Sequence, residues 1–402
     1  MKMPSALRTA RLFFLCCSIA AGTQAWSDEA PAVVLTQGQL KAVLASGRST
    51  PLDAFTPYGK RRFIRALSWG QNGLGGLSTV SLVRELNAGE LTAVLAFFES
   101  SAYLPMLRKE LDGAPLRLPA PDPDVERDLE RLEDILPAGS ADAGEGETHL
   151  QSQPLLPYYI ALFGARMEEA ALRKAPAANL PLLFDAAALV NFSYPDTPAF
   201  HHMMQVHREM AARGIDTRRS FDRTVLSALI AARDFDQARA FASARPALAH
   251  DPVPNVIDPL GPRFEGRSVY RYDAGTNTLT RQLVPSLQLV MVVGAGCHFS
   301  KNALDAIRGD AELRGRLKAA ELMLVTPPRA PIAFGFIADW NARNPDLPIG
   351  VPYHVREWRE IDVDGVPRFY LFRNGKAVGR VSGWPDAGNK AALLEMIDKA
   401  GR

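Results

Sequence analysis

The sequence is poor in cysteine, with three among its 402 residues, and two of these lie in a short apolar run near the N-terminus. Residues 1–25 have the order of an export signal, with Lys2, Arg8 and Arg11 ahead of this run and small residues after it. We expect this segment to be cleaved, because its apolar run is too short to span a bilayer. The exported chain then holds Cys297 as its single cysteine, which excludes an intramolecular disulfide.

Long apolar runs and blocks of like charge are missing from the remainder. No continuous apolar stretch of about 18 residues follows the signal, so we expect no membrane span after cleavage and a periplasmic or secreted location. Cleavage removes three of the 46 basic residues and leaves 43 against 44 acidic ones, so the exported chain is close to neutral. A near-neutral chain without a basic block has no electrostatic surface for nucleic acid, and we expect no such partner.

Motifs of several enzyme classes are absent as well. There is no Gly-x-Ser-x-Gly elbow, and the glycine-rich run Gly70–Gly76 follows a predicted helix and lacks the Lys-Ser/Thr of a phosphate-binding loop. We expect a loop between helices there. His201, His202 and His207 share one predicted helix, but no two of them are four residues apart, the spacing that puts two imidazoles on one face. We therefore expect neither a metal nor a cofactor.

A helical pattern rich in Ala, Leu and Arg dominates the first 250 residues. Capping residues followed by proline, at Thr56-Pro57 and Thr197-Pro198, mark helix starts, and the first of these predicts a helix over Tyr58–Trp69. Residues 231–241 resemble the turn and second helix of a tetratricopeptide hairpin, although no fixed repeat period follows. The pattern predicts an all-α part built from helical hairpins.

Changes in composition divide the exported chain and predict an α+β multi-domain protein. The segment at 138–154 is small and polar, and the segment at 248–264 is rich in proline, as is typical of linkers. The predicted order is a helical region (28–137), a flexible linker (138–154), a tetratricopeptide-like helical-hairpin region (155–247), a proline-rich linker (248–264) and a C-terminal α/β domain (265–402).

The C-terminal domain carries the candidate chemistry. A predicted hairpin at 268–283 and a buried strand at 287–293 lead to a glycine-rich turn, to Cys297, and then to a helix from Lys301 to about Leu317. This order places the thiol at a helix N-terminus, where unpaired N–H groups and the helix dipole favour a thiolate.

The elements that follow complete the pattern of the domain. A second apolar strand (320–325) and a second helix (331–344) precede two strands joined by the Asn374-Gly375 turn, and a closing helix covers 389–400. The predicted order of elements is β-α-β-α-β-β-α.

Two motifs resemble those of the thioredoxin-like superfamily over roughly the last third of the chain. Cys297-His298-Phe299-Ser300 is similar to its Cys-x-x-Cys/Ser motif, and Val366-Pro367 followed by a hairpin looks like its proline loop. The resemblance implies a thioredoxin-like fold, a cis Pro367 that faces Cys297, and, from the long spacing between them, kinship with envelope-located members. Ser300 stands where a second cysteine is common and cannot attack a mixed disulfide, so release of a client would need another thiol.

The resemblance also implies roles for the residues around the thiol. His298 either stabilises the thiolate or is an ordinary exposed histidine, and Arg368 either lies beside the thiol or is a solvated strand residue. We take as candidate catalytic residues Cys297, His298, Ser300 and Pro367, and as candidate client-binding residues Val366 and Arg368.

Two hypotheses of function follow. The first is monothiol thiol–disulfide exchange or isomerisation on envelope proteins, with clients held by a mixed disulfide or recruited by the helical region. The alternative is a non-catalytic adaptor of a bacterial envelope assembly, such as a secretion or conjugation apparatus, that uses the fold as a binding module.

Overall fold

A computed structural model describes residues 33–70, 73–135, 155–193, 197–249, 252–328, 331–361 and 366–400. The predicted export signal and the predicted flexible linker at 138–154 lie outside these ranges. Within them helix and sheet are mixed, as predicted. None of the helices in these ranges has the length and apolar character needed to cross a membrane.

Helices make up most of the described residues before 250. They are α1 (Gln37–Ala45), α2 (Pro57–Arg65), α3 (Thr79–Glu85), α4 (Ala88–Phe97), α5 (Leu104–Arg108), α6 (Pro123–Ile135), α7 (Leu155–Phe163), α8 (Glu169–Leu172), α9 (Leu180–Ser193), α10 (Pro198–Ala212), α11 (Phe221–Ala231) and α12 (Phe235–Ser243). Four more follow: α13 (His298–Gly309), α14 (Ala311–Ala319), α15 (Phe334–Arg343) and α16 (Lys390–Ala400).

The strands lie mainly in the C-terminal part. They are β1 (Ser68–Gly70), β2 (Gly73–Gly76), β3 (Asn255–Ile257), β4 (Ser268–Asp273), β5 (Thr278–Leu283), β6 (Leu289–Val292), β7 (Leu322–Val325), β8 (Ile349–Pro352), β9 (Arg368–Arg373) and β10 (Lys376–Ser382). The hairpin predicted at 268–283 and the Asn374-Gly375 turn between β9 and β10 are both confirmed.

Local capping explains several helix starts. The Thr56 hydroxyl accepts the Gly59 N–H at 3.0 Å while Pro57 occupies the first helical position, so α2 begins where the sequence predicted. Asn87 and Glu90 form a reciprocal capping box at α4, which satisfies backbone N–H groups that a helix otherwise leaves unpaired.

The N-terminal part is not all-α. The helix predicted over Tyr58–Trp69 ends at Arg65, and the glycine-rich run forms the antiparallel pair β1–β2, with Trp69 opposite Leu74. Trp69 and Leu74 both pack, partly buried, against the core of this part, which holds the pair in place despite the low strand propensity of glycine. The prediction of a loop between helices was therefore wrong.

Two hydrophobic cores fill the helical part. The first core spans Val34 to Leu107, and the second core spans Val125 to Leu248. A buried ion cluster joins them: Asp185 of α9 accepts bonds from Arg62 of α2 at 2.5 Å and from Arg84 of α3 at 2.8 Å. The two helical regions thus share charged groups that are removed from solvent.

The sheet of the C-terminal part has eight strands in the order β10-β9-β6-β7-β8-β4-β5-β3. Strands β6, β7 and β8 are parallel, and β9 runs antiparallel to β6 on the other side. The parallel strands are buried throughout or nearly so, as expected when both faces of a sheet are covered.

The predicted proline-rich linker is partly structured. Residues Asn255–Ile257 form β3, which pairs in parallel with β5 at the edge of the sheet, and Asp258 accepts a bond from Arg281 of β5. The backbone groups of this segment thus find partners in the sheet, so a wholly extended linker at 248–264 was wrong.

Two details of the predicted element order also differ. The single helix predicted to about Leu317 is broken at Asp310, whose side chain caps α14. An additional strand, β8, follows α15 and lies between β7 and β4. Around β6, the antiparallel strand β9 and then β10 lie on one side and the parallel strand β7 on the other, which is the order expected of the predicted thioredoxin-like domain.

The helical part is docked on this sheet. Phe235 at the start of α12 is 5% exposed and meets Tyr270 of β4 edge to face, with ring centroids 5.9 Å apart. Arg233 donates to the Pro352 carbonyl of β8 at 3.1 Å. Buried aromatic packing of this kind fixes one part against the other rather than leaving them joined by chain alone.

Candidate functional site

Cys297 lies at the N-terminus of α13, as the sequence predicted. Strand β6 ends at Val292, the chain turns through Gly294 and Gly296, and Cys297 then caps the helix with extended backbone angles. Its carbonyl accepts the Lys301 N–H at 3.0 Å, the first bond of the helix. The residue is partly exposed and does not belong to the buried core.

The sulfur faces the proline loop. Cys297 Sγ donates to the Val366 carbonyl at 3.2 Å, and the Val366–Pro367 peptide bond is cis. Strand pairing explains this meeting, because Val292 lies opposite Arg368 in the antiparallel β6–β9 ladder. Continuing that register by two residues brings the turn after β6 against Val366.

Gly294 makes this approach possible, although the sequence analysis gave it only the role of a turn residue. A Cβ built at residue 294 would lie 2.5 Å from Val366 Cγ2, far inside van der Waals contact. Val366 is partly buried and packs against the core formed by strands and loops of the domain, which includes Val290 and Phe372. The loop cannot simply move outward, so residue 294 needs to be glycine.

Replacing Gly294 by alanine is therefore expected to destabilise the protein by about 1–3 kcal/mol, the usual range for overpacking. The added methyl group would push Val366 away and lengthen the Cys297 Sγ to Val366 carbonyl contact. Urea unfolding gives the stability, and the rate of thiol alkylation reports on the contact.

Gly315→Ala in α14 is the matched control. A Cβ there meets nothing within 4 Å, and alanine is favoured over glycine inside a helix by about 0.5–1 kcal/mol. Equal stability of Gly294→Ala and the unchanged protein would refute the close approach of Val366.

Ser300 is buried rather than presented to a client. Its side chain is 1% exposed, and its hydroxyl accepts the Gly294 N–H at 3.1 Å. Ser300, which stands where a second cysteine is common, therefore fixes the turn that precedes Cys297.

His298 is exposed, with its imidazole turned to two other side chains. Nε2 lies 3.1 Å from Asp386 Oδ1 and 3.2 Å from Asn302 Nδ2, while Asn302 donates to the same carboxylate oxygen at 2.9 Å. Among the residues that the structure describes, His298 makes no hydrogen bond to Cys297. Its proposed role at the thiolate stays a prediction, and the four-residue spacing to Asn302 was the one sequence signal for this network.

Arg368 begins β9 directly after the cis proline. It is 6% exposed and pairs in register with Val292 on one side and Ser382 on the other. A solvated strand residue, one of the two interpretations of Arg368, is therefore wrong. The other interpretation, that Arg368 lies beside the thiol, stays a prediction.

The segment that follows β10 completes the surroundings of the thiol. The Gly383 N–H donates to the Pro367 carbonyl at 2.9 Å, and the ring of Trp384 lies 5.7 Å from that of Phe369. Asp386 then reaches His298 as described. This segment thus connects the proline loop with α13, a connection that no motif in the sequence indicated.

A metal centre has no support in the described residues, which contain no group of three His, Cys, Asp or Glu side chains suited to hold an ion. His202 of the histidine-rich helix instead contacts the Tyr159 hydroxyl at 2.9 Å, and His207 is buried against Asp222 at 2.6 Å. Burial, and then the neighbouring His201, lower the pKa of His202, which favours a neutral ring there.

Comparisons with known proteins give little beyond this geometry. No family model matches the chain, and no curated protein matches it. The crystal structure of a thioredoxin-like protein from Bacteroides caccae aligns with 71% of this chain and 99% of its own, at 14% identity and a TM-score of 0.22. Within the chain itself, the strand order of the C-terminal sheet, the helix-capping cysteine and the cis proline beside it agree with the predicted thioredoxin-like fold.

Proposed function

We propose that this protein catalyses monothiol thiol–disulfide exchange on proteins of the cell envelope, with Cys297 as the nucleophile. The observation that carries the proposal is the partly exposed residue Cys297 at the N-terminus of α13, with its sulfur 3.2 Å from the carbonyl that precedes a cis proline. A helix N-terminus favours the thiolate that attacks disulfides. The adjoining proline loop offers backbone groups along which an extended client segment could align.

The reaction is a disulfide isomerisation that needs no net oxidant. The Cys297 thiolate attacks one sulfur of a client disulfide, forms a Cys297–client disulfide, and releases the other client sulfur as a thiolate. A different thiolate of the same client then attacks the client sulfur of this mixed disulfide. That step forms the new client disulfide and returns the electron pair to Cys297, so the number of disulfides is unchanged.

Ser300 is buried and stands where a second cysteine is common, which supports an exchange reaction that uses a single protein thiol. Ser300 cannot displace a client from Cys297, and the described residues hold no other cysteine. The mixed disulfide would therefore persist until a thiol of the client, or a small thiol, resolves it. We also propose that residues 1–25 direct export, which the mass of the exported chain would check, and that the helical part recruits the client.

Reactivation of ribonuclease A with scrambled disulfides tests the proposal. We expect the protein to accelerate recovery of ribonuclease activity, and Cys297→Ala to fall to the background rate, a loss of about tenfold or more. Lys376→Ala, an exposed change on β10 at the sheet edge, serves as the control and should keep the full rate. No acceleration by the unchanged protein over Cys297→Ala would overturn the proposal.

A non-catalytic adaptor is the second candidate, and one contact favours it. The thiol donates to the Val366 carbonyl, a bond that only the neutral S–H form can make. Alkylation of the folded protein separates the two functions, because an exchange site reacts rapidly at neutral pH. Labelling that occurs only after denaturation would favour the adaptor.

A further inference from the structure

A cavity lies in the C-terminal domain, lined by residues other than those around the thiol. It has a volume of about 260 Å³ and opens beside the β4–β5 hairpin and the strands β7 and β8. Two of the residues that line it, Val269 and Met323, belong to a core made of strand and loop residues, to which none of the described α-helices contributes. The cavity therefore lies on a part of the sheet that these helices leave open.

Arg271 of β4 is the one lining residue that brings a positive charge into this cavity. Its Nη1 donates to the Pro348 carbonyl at 2.9 Å. A guanidinium has five N–H donors. In Arg271, one of these donates to an acceptor among the described residues. Asp346 also lines the cavity, but among the described residues no carboxylate lies within 4.0 Å of the guanidinium, and Asp346 is paired with Arg314 at 2.6 Å.

Arg271 is partly buried, and partial burial without a counter-charge is costly for a guanidinium. Desolvation lowers the pKa of Arg271, and no neighbouring charge offsets that effect. The buried Arg84, by contrast, is paired with the Asp185 carboxylate. An anion from outside would supply a Coulombic partner and accept bonds from the N–H groups that the described residues do not engage.

The other residues that line the cavity indicate which chemical group accompanies the charge of the anion. Leu283, Val284, Met323 and Leu347 supply apolar walls, and Gln282, which lies opposite Val269 in the β4–β5 ladder, adds a polar group. Binding cavities in proteins commonly combine such walls with a few placed polar groups. A bare inorganic anion would leave these walls against water, whereas an acyl chain would cover them.

We propose that this cavity binds a small monocarboxylate with an apolar body, its carboxylate on Arg271 and its chain along Val284 and Met323. The site is separate from the proposed thiol chemistry and does not depend on it. Octanoate is a suitable probe because it combines one carboxylate with a short alkyl chain.

Calorimetric titration of the full chain compares three probes at pH 7. Octanoate is expected to bind, while octanol, which lacks the charge, and acetate, which lacks the chain, are expected to bind at least about tenfold more weakly. Equal affinity for octanoate and octanol would overturn the role of Arg271, and equal affinity for octanoate and acetate would overturn the role of the apolar walls.

Variants test the arginine directly. Arg271→Gln is expected to weaken octanoate binding by about tenfold or more, and Arg271→Lys to keep part of the affinity. Arg343→Gln is the matched control, because Arg343 is exposed on α15 and likewise donates to a single backbone carbonyl. Should Arg271→Gln fail to fold, the lysine variant and the three-probe comparison still decide the question. Unchanged octanoate affinity in a folded Arg271→Gln protein, or no binding to the unchanged protein at millimolar octanoate, refutes the site.

Discussion

Replacing Arg281 by glutamine is expected to lower the free energy of unfolding by about 3–5 kcal/mol, the range for breaking a buried ion pair. Arg281 is 1% exposed and donates to Asp258 at 3.0 Å, to Glu357 at 2.9 Å and to Ser268 at 2.8 Å. Glutamine is shorter and uncharged, so it would leave two carboxylates in the interior without their cation.

The effect should extend beyond the arginine, because its partners lie on separate segments. Asp258 follows the edge strand β3, and Glu357 lies in the segment that leads toward the proline loop and also accepts the Ser268 N–H at 2.7 Å. The guanidinium stacks 3.4 Å above the ring of Tyr353. Arg281 thus holds the edge of the sheet and the approach to the proline loop against β4.

Urea unfolding measures this loss, and Arg271→Gln on the neighbouring strand is the control. Arg271 has one backbone acceptor and no carboxylate partner among the described residues, so the same substitution should cost much less there. Similar losses for the two variants would contradict the view that the ion pairs of Arg281 are responsible.

Replacing Asp185 by asparagine is expected to cost about 3 kcal/mol or more, because Arg62 and Arg84 would lose their shared counter-charge. Arg84 is 6% exposed and also donates to Ser220 at 2.7 Å, so it cannot turn to solvent. Since this cluster joins the first and second cores, we expect both helical regions to unfold at lower urea concentration. Glu169→Gln removes an exposed pair within α8 and its neighbour Arg173, and should change stability by about 0.5 kcal/mol at most.

The pH dependence of this difference has a definite sign. Burial raises the pKa of Asp185, but Arg84 and Arg62 lower it by more, so the folded pKa lies below the unfolded value. The stabilisation by the carboxylate is then complete above about pH 4 and is lost as the pH falls through the folded pKa. The gap in stability between the unchanged protein and Asp185→Asn should therefore be constant near neutrality and shrink below about pH 4. A gap that stays constant into strong acid would contradict the pairing.

The unchanged protein must be compared with the variant, because nearby acids change the stability with pH in the direction opposite to that of Asp185. Burial raises the pKa values of Glu85 and Glu133, so their protonation on acidification favours the folded state. The effect of Glu85 is present in both proteins and cancels in the difference, whereas part of the upward shift of the Glu133 pKa comes from Asp185 itself and is lost in the variant.

The sequence predicted most of the elements around the candidate site. It indicated the strand before Cys297, the helix after it, and the hairpin at Asn374-Gly375, because each depends on residues within a few positions of one another. It missed β8 and placed a loop where β1 and β2 form, since short strands with glycine carry little periodicity. The proline-rich segment is predicted as a linker for a similar reason, because β3 has only three residues and carries little periodicity.

The sequence by itself determined that one thiol would stand at a helix N-terminus, since a strand, a turn and a capping residue are local features. The resemblance implied that the proline loop faces this thiol, but only the tertiary structure decided the particular contacts around it. Val366 and Asp386 lie 69 and 88 positions away from the residues they contact, Cys297 and His298. Such meetings depend on strand register and loop path, which propensity and hydrophobic period do not encode.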